Sequence, residues 1–571
     1  MTVYNESANV SASSNVSAYA NVSLEANASV FSAASTNATG NLIYKESSTI
    51  ATDSSITADS VYSFSASVSA SATMTAKSAK AIKRDLLDTR MDSFFMGNKQ
   101  YFLNGQDYFY YDGNSCVEIT PYIPTLFISK SPTGGGTYNE DFNLLGAGFK
   151  DSFSGDGTTT VYQLSLTNLD STTVTAVVNN EAKAEGTDFT VDRTAGKVTF
   201  TTAPAAGTNN VIITAYKTQA GFPERIKKCT FHVLFGGTND TRVFVSGNPD
   251  FPNQIWRSGL YDPTYFPENG FYKIGSDREK VTGFAKQYDY LVIEKESSKG
   301  NMQFQLDSSG KVSFPIKPLN DRIGTIAPNS IQIINNNPVS LDRTGVYILT
   351  QSNVRDERNI QHISANIDSL LLNEPNLEKA ISVDFDYKYW LALNNKVYVY
   401  DYKINEWYLY DNIPATCFLI YNNILYFGGK GLVYRFKKET DYQPFNDDGQ
   451  PINAYWKSKY LTFNADYLRK IVDSVLFSMK PQTHSSVDLY YTTNKKQSDL
   501  IKTKRMDLFN FWLMDFNKFS FVTSDFPQEV KTRIKAKKIT HFQLMIQNNK
   551  LDEGLGILSL GIKFRYGSEV R

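Results

Sequence analysis

Small apolar and polar residues alternate along the first 85 residues of the chain. Within this segment an asparagine recurs every six residues, in NVSASS, NVSAYA, NVSLEA and NASVFS, at Asn9, Asn15, Asn21 and Asn27. A period of two predicts an extended strand with one drier face. Because side chains this small bury little area, we expect residues 1–85 either to gain order by pairing with another surface or subunit, or to stay flexible.

A second alternation, built from large aromatic residues, begins near residue 86. Residues 94–113, FFMGNKQYFLNGQDYFYYDG, alternate on both sides of Asn104-Gly105, and this dipeptide is the strongest short signal for a β-hairpin. A related stretch, NNKVYVYDYKINEWYLYDN, carries Asp401 and Trp407 and resembles the blade hairpin of kelch-type β-propellers, in which the aspartate tightens the turn and the tryptophan packs between neighbouring sheets. Similar units recur at roughly 40 to 50 residues, which is the spacing of propeller blades. We therefore expect a β-propeller over residues 86–120 and 223–445.

Two β-sandwiches complete the predicted organisation. In residues 121–222, turn clusters separate alternating strands at intervals of roughly 8 to 12 residues, which predicts an Ig-like β-sandwich inserted into the propeller. The three glycines at 134–136 in this region lack the Gly-Lys-Ser/Thr ending of a phosphate-binding loop. After the linker NDDGQPIN, strands such as SVLFSMK and GILSLGIKFRYG predict a C-terminal β-sandwich or jelly roll over residues 446–571. The predicted fold class is all-β.

Composition agrees with this organisation. A chain of 571 residues is too long for one hydrophobic core, and 13% of its residues are aromatic, which favours pleated, half-buried surfaces. Cys116, Cys229 and Cys417 are too few and too far apart for a disulfide framework or a metal site, which favours a reducing compartment. The N-terminus has no signal-peptide pattern and no run of apolar residues is long enough to span a membrane, so we expect no membrane anchor.

The overall net charge of zero hides a division along the chain. Residues 451–571 carry 20 Lys and Arg against 11 Asp and Glu, a net charge of +9, whereas the first 450 residues carry 38 against 47, a net charge of −9. Opposite charge in the two parts predicts either that they meet different partners or that the basic part is a solvated face without a ligand.

The central stretch CTFHVLFGGTNDTRVFVSGNPDFPNQIWRSGLYDPTYFPE resembles the packaged-DNA stabilisation proteins of tailed bacteriophages, a family of propeller-bearing tail-hub or nozzle proteins. The hairpin of residues 94–113 and the closing GLGILSLGIKFRYG fit the same family, so that the resemblance covers roughly residues 87–571. The residues that carry it are Gly236, Gly237, Asn239, Asp240, Arg242, Val243, Phe244, Ser246, Gly247, Asn248, Pro249, Asp262, Pro263, Tyr265, Phe266, Gly275, Ser276, Asp277 and Lys295. The asparagine-periodic N-terminus departs from the family pattern.

The resemblance implies a structural virion protein. It implies a homo-oligomeric ring, expected to be a hexamer, at the tail nozzle or the head–tail connection. Such a ring would contact the portal or adaptor and other tail proteins, enclose the channel for packaged double-stranded DNA without sequence-specific binding, and help to retain the genome. The protein would be assembled in the host cytoplasm and located in the virion. The alternative is a receptor-binding or glycan-binding tail protein.

The aromatic residues of the central stretch fit this architectural reading. Proline restricts the residue before it to extended conformations, so Asn248-Pro249 and Asp262-Pro263 are expected to punctuate strands. We expect the neighbouring rings to pack between sheets rather than to form a sugar-stacking platform; they are Phe244, Trp256, Tyr261, Tyr265 and Phe266.

Candidate chemistry is sparse. The four histidines, His232, His362, His484 and His541, form no metal-ligand spacing, and no Gly-x-Ser-x-Gly motif anchors a catalytic triad. Asp384 and Asp386 are expected on one face of a strand, where they could bind a cation or serve a glycosidase, although an exposed strand face is the favoured interpretation. The Ser-x-Asp-x-Gly-x-x-Trp boxes of sialidases are absent from the sequence. We therefore expect no enzyme activity, no cofactor and no catalytic or metal-binding residues.

Two basic runs mark the C-terminal domain. The cations are Lys502, Lys504 and Arg505 in the first run, and Lys531, Arg533, Lys535, Lys537 and Lys538 in the second. They could contact phosphates in a manner that is independent of sequence and sensitive to salt. Alternation in KTRIKAKKI predicts an amphipathic strand with one charged face, which could equally dock on an acidic neighbouring subunit; we favour this second interpretation.

Overall fold

The fold is all-β, as the sequence predicts. The computed structural model describes residues 82–569 except 85, 87–88, 238, 307, 309, 311, 352–357, 439–440, 442–443, 481, 483, 508–520 and 522–525, and before residue 82 it describes only the backbone of short strands. In this described part the only α-helices are α1 (Phe222–Lys227) and α2 (Asp368–Leu371), with single 3-10 turns at Pro328–Ser330 and Leu377–Lys379. The chain divides into two compact units, residues 1–416 and 417–571. The domain boundaries drawn from the sequence stay predictions.

Short parallel strands are present in the N-terminal segment. Ser23–Leu24 pairs with Ile43–Tyr44; Ser29–Phe31 pairs with Thr49–Ala51, which pairs with Ser67–Val68; and Thr57–Asp59 pairs with Thr75–Lys77. The paired residues Ser23 and Ile43 are 20 positions apart in the sequence, and the paired residues Thr57 and Thr75 are 18 positions apart. The strands of this segment therefore pair at a nearly constant sequence interval. The asparagine repeat itself (Asn9, Asn15, Asn21 and Asn27) lies outside the described residues.

Five antiparallel sheets of four strands each, in simple up-and-down order, form most of the first unit. Sheet 1 comprises Asp92–Met96, Lys99–Leu103, Tyr108–Tyr111 and Cys116–Glu118. Sheet 2 comprises Phe231–Phe235, Arg242–Ser246, Gln254–Arg257 and Phe271–Lys273. Sheet 3 comprises Val281–Gln287, Tyr290–Lys295, Lys299–Gln303 and Ile316–Asn320, with a small hairpin of Gln305–Leu306 and Val312–Ser313 before its last strand. Sheet 4 comprises Gln332–Ile334, Asn337–Asp342, Gly345–Gln351 and Arg358–His362. Sheet 5 comprises Ile381–Phe385, Lys388–Leu393, Lys396–Asp401 and Glu406–Asp411.

Buried side chains join each sheet to the next. One hydrophobic cluster contains residues of sheets 1 and 2, a second those of sheets 2 and 3, a third those of sheets 3 and 4, and a fourth those of sheets 4 and 5. The second strand of sheets 2 to 5 is almost wholly buried, because both of its faces are covered. Successive sheets therefore pack face to face in chain order, as blades do. The closure of these sheets into a propeller stays a prediction.

A β-sandwich lies between sheets 1 and 2 in the sequence. Its larger sheet has the order Thr137–Tyr138, Thr125–Lys130, Gly148–Gly155, Gly207–Tyr216, Thr175–Val178 and Glu181–Ala184, and its smaller sheet has the order Val161–Gln163, Lys197–Phe200 and Phe189–Asp192. Both sheets contribute to one core, which includes the fully buried Phe149, Phe153, Tyr162 and Phe189. Thr125–Lys130 and Gly148–Gly155 pair in parallel, whereas the other pairs are antiparallel.

The second unit contains a three-stranded sheet and a sandwich. Cys417–Tyr421, Ile424–Gly429 and Leu432–Arg435 form sheet 6. The predicted linker folds as a hairpin of Asn446–Asp447 and Gln450–Pro451, because Asp448 and Gly449 adopt the left-handed conformation with φ of 48° and 79°. The sandwich consists of two sheets that share one core. The first sheet has the order Ala454–Lys457, Phe542–Asn548, His484–Thr493 and Lys496–Asp507. The second has the order Gln528–Ile539, Leu468–Met479 and Ile557–Glu569.

Candidate functional site: the sheet-linking motif and a basic strand surface

The aromatic stretch of residues 241–270 supplies rings to both faces of sheet 2. Val245 lies opposite Trp256 and Phe244 lies opposite Arg257, so Phe244 and Trp256 point to opposite faces. Phe244 is fully buried in the cluster shared with sheet 3, whereas Trp256 is buried in the cluster shared with sheet 1. Phe266 is fully buried in the same cluster as Trp256. These three rings are therefore structural.

The two tyrosines of this stretch behave differently. Tyr265 is half-buried and its hydroxyl donates a 2.9 Å hydrogen bond to the carbonyl oxygen of Asp141 in the inserted region. The expectation of a packed ring is wrong for Tyr261, which is 60% exposed. It lies in a tight turn with φ of 52°, where Tyr261 N–H donates to the Thr241 carbonyl, and this turn directs the ring away from the core.

Gly247, Asn248 and Pro249 anchor helix α1 to sheet 2. The Asn248 side-chain amide donates to the carbonyl oxygens of Glu224 and Arg225, at 3.2 and 3.0 Å, and its own oxygen accepts from the Asp250 N–H at 2.9 Å. Gly247 has a φ of 87°, and a Cβ there would lie 2.1 Å from Thr230 Oγ1, so only glycine fits. Gly247 and Asn248 therefore hold helix α1, which follows the inserted sandwich in the chain, against sheet 2.

Asp262 and Pro263 link the same loop to sheet 1. Asp262 Oδ1 accepts from the N–H and hydroxyl of Thr264, at 2.9 and 2.6 Å, while the Pro263 carbonyl accepts a 2.9 Å hydrogen bond from the Tyr108 hydroxyl. Burial, with a contribution from the Asp262 carboxylate, raises the pKa of Tyr101 to about 12. Burial therefore keeps the Tyr101 hydroxyl protonated beside this loop.

Asp401 and Trp407 occupy the last hairpin of sheet 5. Asp401 Oδ1 accepts from the Lys403 N–H at 3.1 Å, which tightens the turn, and the Trp407 ring lies 5.0 Å from the Tyr400 ring. The Trp407 indole N–H donates a 2.7 Å hydrogen bond to the Ile363 carbonyl, just after the last strand of sheet 4. Trp407 therefore joins two consecutive sheets.

The basic runs lie on two edge strands of the C-terminal sandwich. Gln528–Ile539 is the edge of its three-stranded sheet and Lys496–Asp507 is the edge of the other, and these two strands contact each other. Burial alternates along Gln528–Ile539, as predicted: Thr532, Ile534 and Ala536 are buried. We call the cations of these strands the basic surface; its members are Lys502, Lys504, Arg505, Lys531, Arg533, Lys535, Lys537 and Lys538, all exposed except the half-buried Lys504.

The positive charges of the basic surface repel one another, and few of them have a carboxylate partner. A hydrogen bond from Lys502 and its positive charge lower the pKa of Lys504. Arg505 lies 3.9 Å from Glu553, whereas for the five cations of residues 531–538 no ion pair with a described carboxylate exists within 4.0 Å. A surface with this imbalance favours binding to an anionic partner.

A Ser-His-Asp cluster that the sequence analysis did not single out lies beside sheet 4. His362 Nε2 lies 3.2 Å from Ser364 Oγ and 3.0 Å from Asp368 Oδ2, and Ser364 Oγ donates to Asp368 Oδ1 at 2.5 Å. In a catalytic triad the histidine uses one nitrogen for the serine and the other for the aspartate. Here one nitrogen faces both partners, and the serine proton goes to the aspartate. Ser364 Oγ also accepts a 2.8 Å hydrogen bond from the Val346 N–H. The cluster therefore holds the segment that follows sheet 4 against the third strand of that sheet.

The other candidate groups are also engaged in local structure. The prediction that Asp384 and Asp386 share a strand face is wrong, because the strand ends at Phe385 and Asp386 lies in the turn with φ of 51°. His232 Nδ1 contacts Asp92 at 2.6 Å, and the His541 ring lies 4.8 Å from that of Tyr460. Among the described residues, no group of three His, Cys, Asp or Glu side chains could hold a metal ion. No helix in the described part of the chain is long and apolar enough to cross a membrane.

Comparison with known proteins does not show a family. No protein-family model matches the chain, and no curated protein matches it significantly. Among solved structures, the chain is similar to the S. cerevisiae core factor, with 7% identity, a TM-score of 0.26 and coverage of 56% of this chain and 57% of that one. It is also similar to an exo-β-1,3-galactanase from Phanerochaete chrysosporium, with 8% identity, a TM-score of 0.19 and coverage of 58% and 81%. At these TM-scores the likenesses carry no argument about function, and the phage resemblance stays a prediction.

Proposed function

We propose that the chain is a non-enzymatic structural subunit that assembles into a homo-oligomeric ring in the virion of a tailed bacteriophage, at the tail nozzle or head–tail connection. The observation that carries this proposal is the basic surface, whose second run has no carboxylate partner among the described residues. A neighbouring copy offers the complementary charge, since the first 450 residues carry a net charge of −9.

Contact between the basic surface of one copy and an acidic surface of the next is a head-to-tail contact. Such contacts generate rings when the rotation between neighbours closes. Electrostatic complementarity would set the orientation and the rate of assembly more than the final affinity. The ring would act mechanically: it encloses a channel for double-stranded DNA, docks on the portal or adaptor and other tail proteins, and resists loss of the genome without turnover.

Exposed apolar side chains on sheet 6 support an assembling subunit. Leu419, Ile420 and Tyr421 are 61%, 44% and 62% exposed, and Leu432 and Val433 are 55% and 79% exposed. Consecutive strand residues point to opposite faces, so apolar groups are exposed on both faces of this thin sheet. Contiguous exposed apolar groups mark interaction surfaces in soluble proteins.

The disposition of the chemically suggestive residues supports a structural role over an enzymatic one. The buried rings of the central motif fill the spaces between sheets, and the serine of the Ser-His-Asp cluster gives its proton to the aspartate. In neither arrangement does a histidine bridge a serine and an aspartate through its two ring nitrogens, as it does in a catalytic triad.

Mass photometry of the purified full chain tests the proposal. We expect a discrete oligomer that dissociates as salt rises, with closed rings in negative-stain images. Lys535→Gln/Lys537→Gln should shift the population towards monomer, whereas the matched control Lys457→Gln/Lys459→Gln, at exposed lysines of the same unit, should not. A wild-type chain that stays monomeric at all salt concentrations would contradict the proposed ring.

Fluorescence anisotropy with a short DNA duplex tests whether the basic surface binds DNA or a neighbouring subunit. Loss of salt-dependent DNA binding in Lys535→Gln/Lys537→Gln, with the oligomer intact, would place this surface on DNA and overturn its assignment to the subunit contact. Each lost phosphate contact would lower the slope of log K against log salt by about 0.9.

A further inference from the structure

A polar cleft of about 420 Å³ lies between sheet 2 and the inserted region. Arg242, Arg257 and Asp262 line it on the side of the central motif, and Tyr122 and Glu140 line it on the other side. Residues more than a hundred positions apart in the sequence thus meet here. Of the groups that line the cleft, Arg242, Arg257 and Glu140 have no role in the packing or in the basic surface described above.

Two arginines lie on one face of sheet 2 beside this cleft. Arg257 pairs with Phe244, and Arg242 lies two positions before Phe244 on the same strand, so both guanidinium groups project from the same face. Arg242 Nη1 donates a 3.3 Å hydrogen bond to the Ser258 carbonyl, whereas the buried Arg257 Nε has no hydrogen-bond partner among the described residues. Burial, and then the charge of Arg257, lower the pKa of Arg242.

Neither of the two positive charges has a carboxylate at contact distance, although Glu140, Asp141 and Asp262 line the same cleft. Neither guanidinium forms an ion pair within 4.0 Å with any described carboxylate. Arg242 and Arg257 both line the cleft, so an acceptor that enters it meets guanidinium groups that hold no carboxylate. Guanidinium groups bind carboxylates and other oxyanions through paired hydrogen bonds, so this side of the cleft favours an anionic group.

The opposite side of the cleft favours hydroxyl groups. Glu140 accepts from the Thr125 N–H at 2.6 Å and from the Tyr122 hydroxyl at 3.2 Å, which holds its carboxylate in place. On the arginine side of the cleft, Asp262 is held through one oxygen by Thr264. The rings of Tyr122 and Tyr265 lie 5.2 Å apart and offer an apolar surface next to these acceptors.

We propose that this cleft binds a sugar that carries a carboxylate, with the carboxylate on Arg242 and Arg257, the hydroxyls on the acidic side and one ring face against the tyrosines. A ligand with a single negative charge and several hydroxyls matches both sides of the cleft. The carboxylates of Glu140, Asp141 and Asp262 would repel a phosphate dianion more strongly than a single carboxylate, and a neutral sugar would offer the two arginines no charged acceptor. This inference does not rest on the proposed ring.

Isothermal titration calorimetry of the full chain with glucuronate and with N-acetylneuraminate tests the proposal directly. We expect at least one of them to bind, and its uncharged methyl ester, glucose and inorganic phosphate to bind at least about tenfold more weakly, because hydrogen bonds between charged groups are stronger than those to a neutral acceptor. The comparison of an acid with its ester uses only the wild-type chain, so it does not depend on how a variant folds. Failure of both acids to bind, or equal binding of an acid and its ester, overturns the proposal.

Two variants and one control place the ligand in the cleft. Arg257→Met should weaken binding of the acidic sugar by about tenfold or more, and Arg257→Lys should fall in between, because lysine keeps the charge but loses the paired geometry. The matched control is Arg278→Met, at an exposed arginine in the turn after sheet 2. Far-UV circular dichroism verifies that each variant is folded. Unchanged affinity in a folded Arg257→Met chain overturns the assignment to this cleft.

Discussion

The indole N–H of Trp407, in sheet 5, donates a 2.7 Å hydrogen bond to the backbone carbonyl of Ile363, which follows sheet 4. A side chain of one sheet thereby completes the backbone hydrogen bonding of its neighbour. Together with a 3.0 Å hydrogen bond from the Gln332 side chain of sheet 4 to the Ser382 carbonyl of sheet 5, and with the apolar packing between the sheets, this bond fixes the distance between them. It shows how a chain of similar sheets can acquire a defined spacing.

Trp407→Phe tests this link. The change retains an aromatic ring but leaves the Ile363 carbonyl without its donor, so we expect a loss of about 1 kcal/mol in the free energy of unfolding. Trp456→Phe is the control, since Trp456 is 51% exposed and its replacement should change stability by no more than about 0.5 kcal/mol. Urea denaturation followed by circular dichroism measures both. Equal effects at the two positions would show that the hydrogen bond contributes nothing.

Gly345 is required by the cluster beside sheet 4. Its φ is 139°, and a Cβ would lie 2.4 Å from His362 Nε2 and 2.7 Å from Ser364 Oγ. We expect Gly345→Ala to lower the free energy of unfolding by about 2 kcal/mol or more, through backbone strain and displacement of the histidine. At Gly300 an added Cβ would meet its nearest atoms at 3.5 Å, so Gly300→Ala should be neutral or stabilising by up to about 1 kcal/mol. Thermal unfolding that ranks the two variants in the reverse order would refute this account.

The buried ion pair of Lys130 and Asp151 should dominate the stability of the inserted sandwich. Their charged atoms lie 3.1 Å apart, with side chains 4% and 0% exposed, and Ser165 bonds to both. Removal of one partner leaves an uncompensated buried charge, so Lys130→Met should cost about 3 to 5 kcal/mol. The double variant Lys130→Met/Asp151→Leu should recover much of this loss.

A surface pair in the same sandwich provides the control for that experiment. Lys183 and Glu181 lie 3.0 Å apart, but the glutamate side chain is 75% exposed. Lys183→Met should therefore change stability far less than Lys130→Met. A double-mutant cycle on each pair, measured by urea denaturation, gives the coupling energies. Similar values for the two pairs would contradict the buried-pair prediction.

Two acids of the first unit should respond to pH with opposite signs. Burial acts to raise the pKa of Glu279, but hydrogen bonds from Ser297, Lys295 and Ser298 outweigh it and lower the pKa below the usual 4.5. Burial raises the pKa of Asp384 above the usual 3.8. A lowered pKa in the folded state contributes stability that is present above 4.5 and lost as the pH falls through the folded value, whereas a raised pKa costs stability at neutral pH.

Glu279→Gln and Asp384→Asn measure these two contributions. Glu279→Gln should be less stable than wild type at neutral pH, with a difference that shrinks as the pH falls below 4.5. Asp384→Asn should be more stable at neutral pH, because an amide oxygen still accepts the 3.2 Å hydrogen bond from Tyr402, and this advantage should vanish as the pH falls towards 3.8. Urea midpoints across this pH range give both differences. A stability difference that is independent of pH in either variant would show that titration of that acid is not its cause.

Local pattern was sufficient for the elements and for the fold class. The hairpin at Asn104 is confirmed, since Leu103 pairs with Tyr108 and the Asn104 side-chain oxygen accepts from the N–H groups of Gln106 and Asp107. Alternation along Gln528–Ile539 likewise predicted which side chains are buried. Both signals depend on residues a few positions apart, whose geometry the backbone fixes directly. The end of a strand is less well encoded, and Asp386 was therefore assigned to the wrong element.

The sequence by itself determined that this chain is all-β, that its aromatic residues belong to repeated sheets and that its positive charge gathers near the end. Only the tertiary structure decided that Phe244 and Trp256 fill opposite sides of sheet 2, that one ring nitrogen of His362 faces both Ser364 and Asp368, and that Arg242 and Arg257 meet Tyr122 and Glu140 across a cleft. The physical reason is distance along the chain. Alternation and turn residues act over a few positions, whereas the neighbours that bury a ring, orient a proton or leave a charge unpaired come from segments that folding brings together.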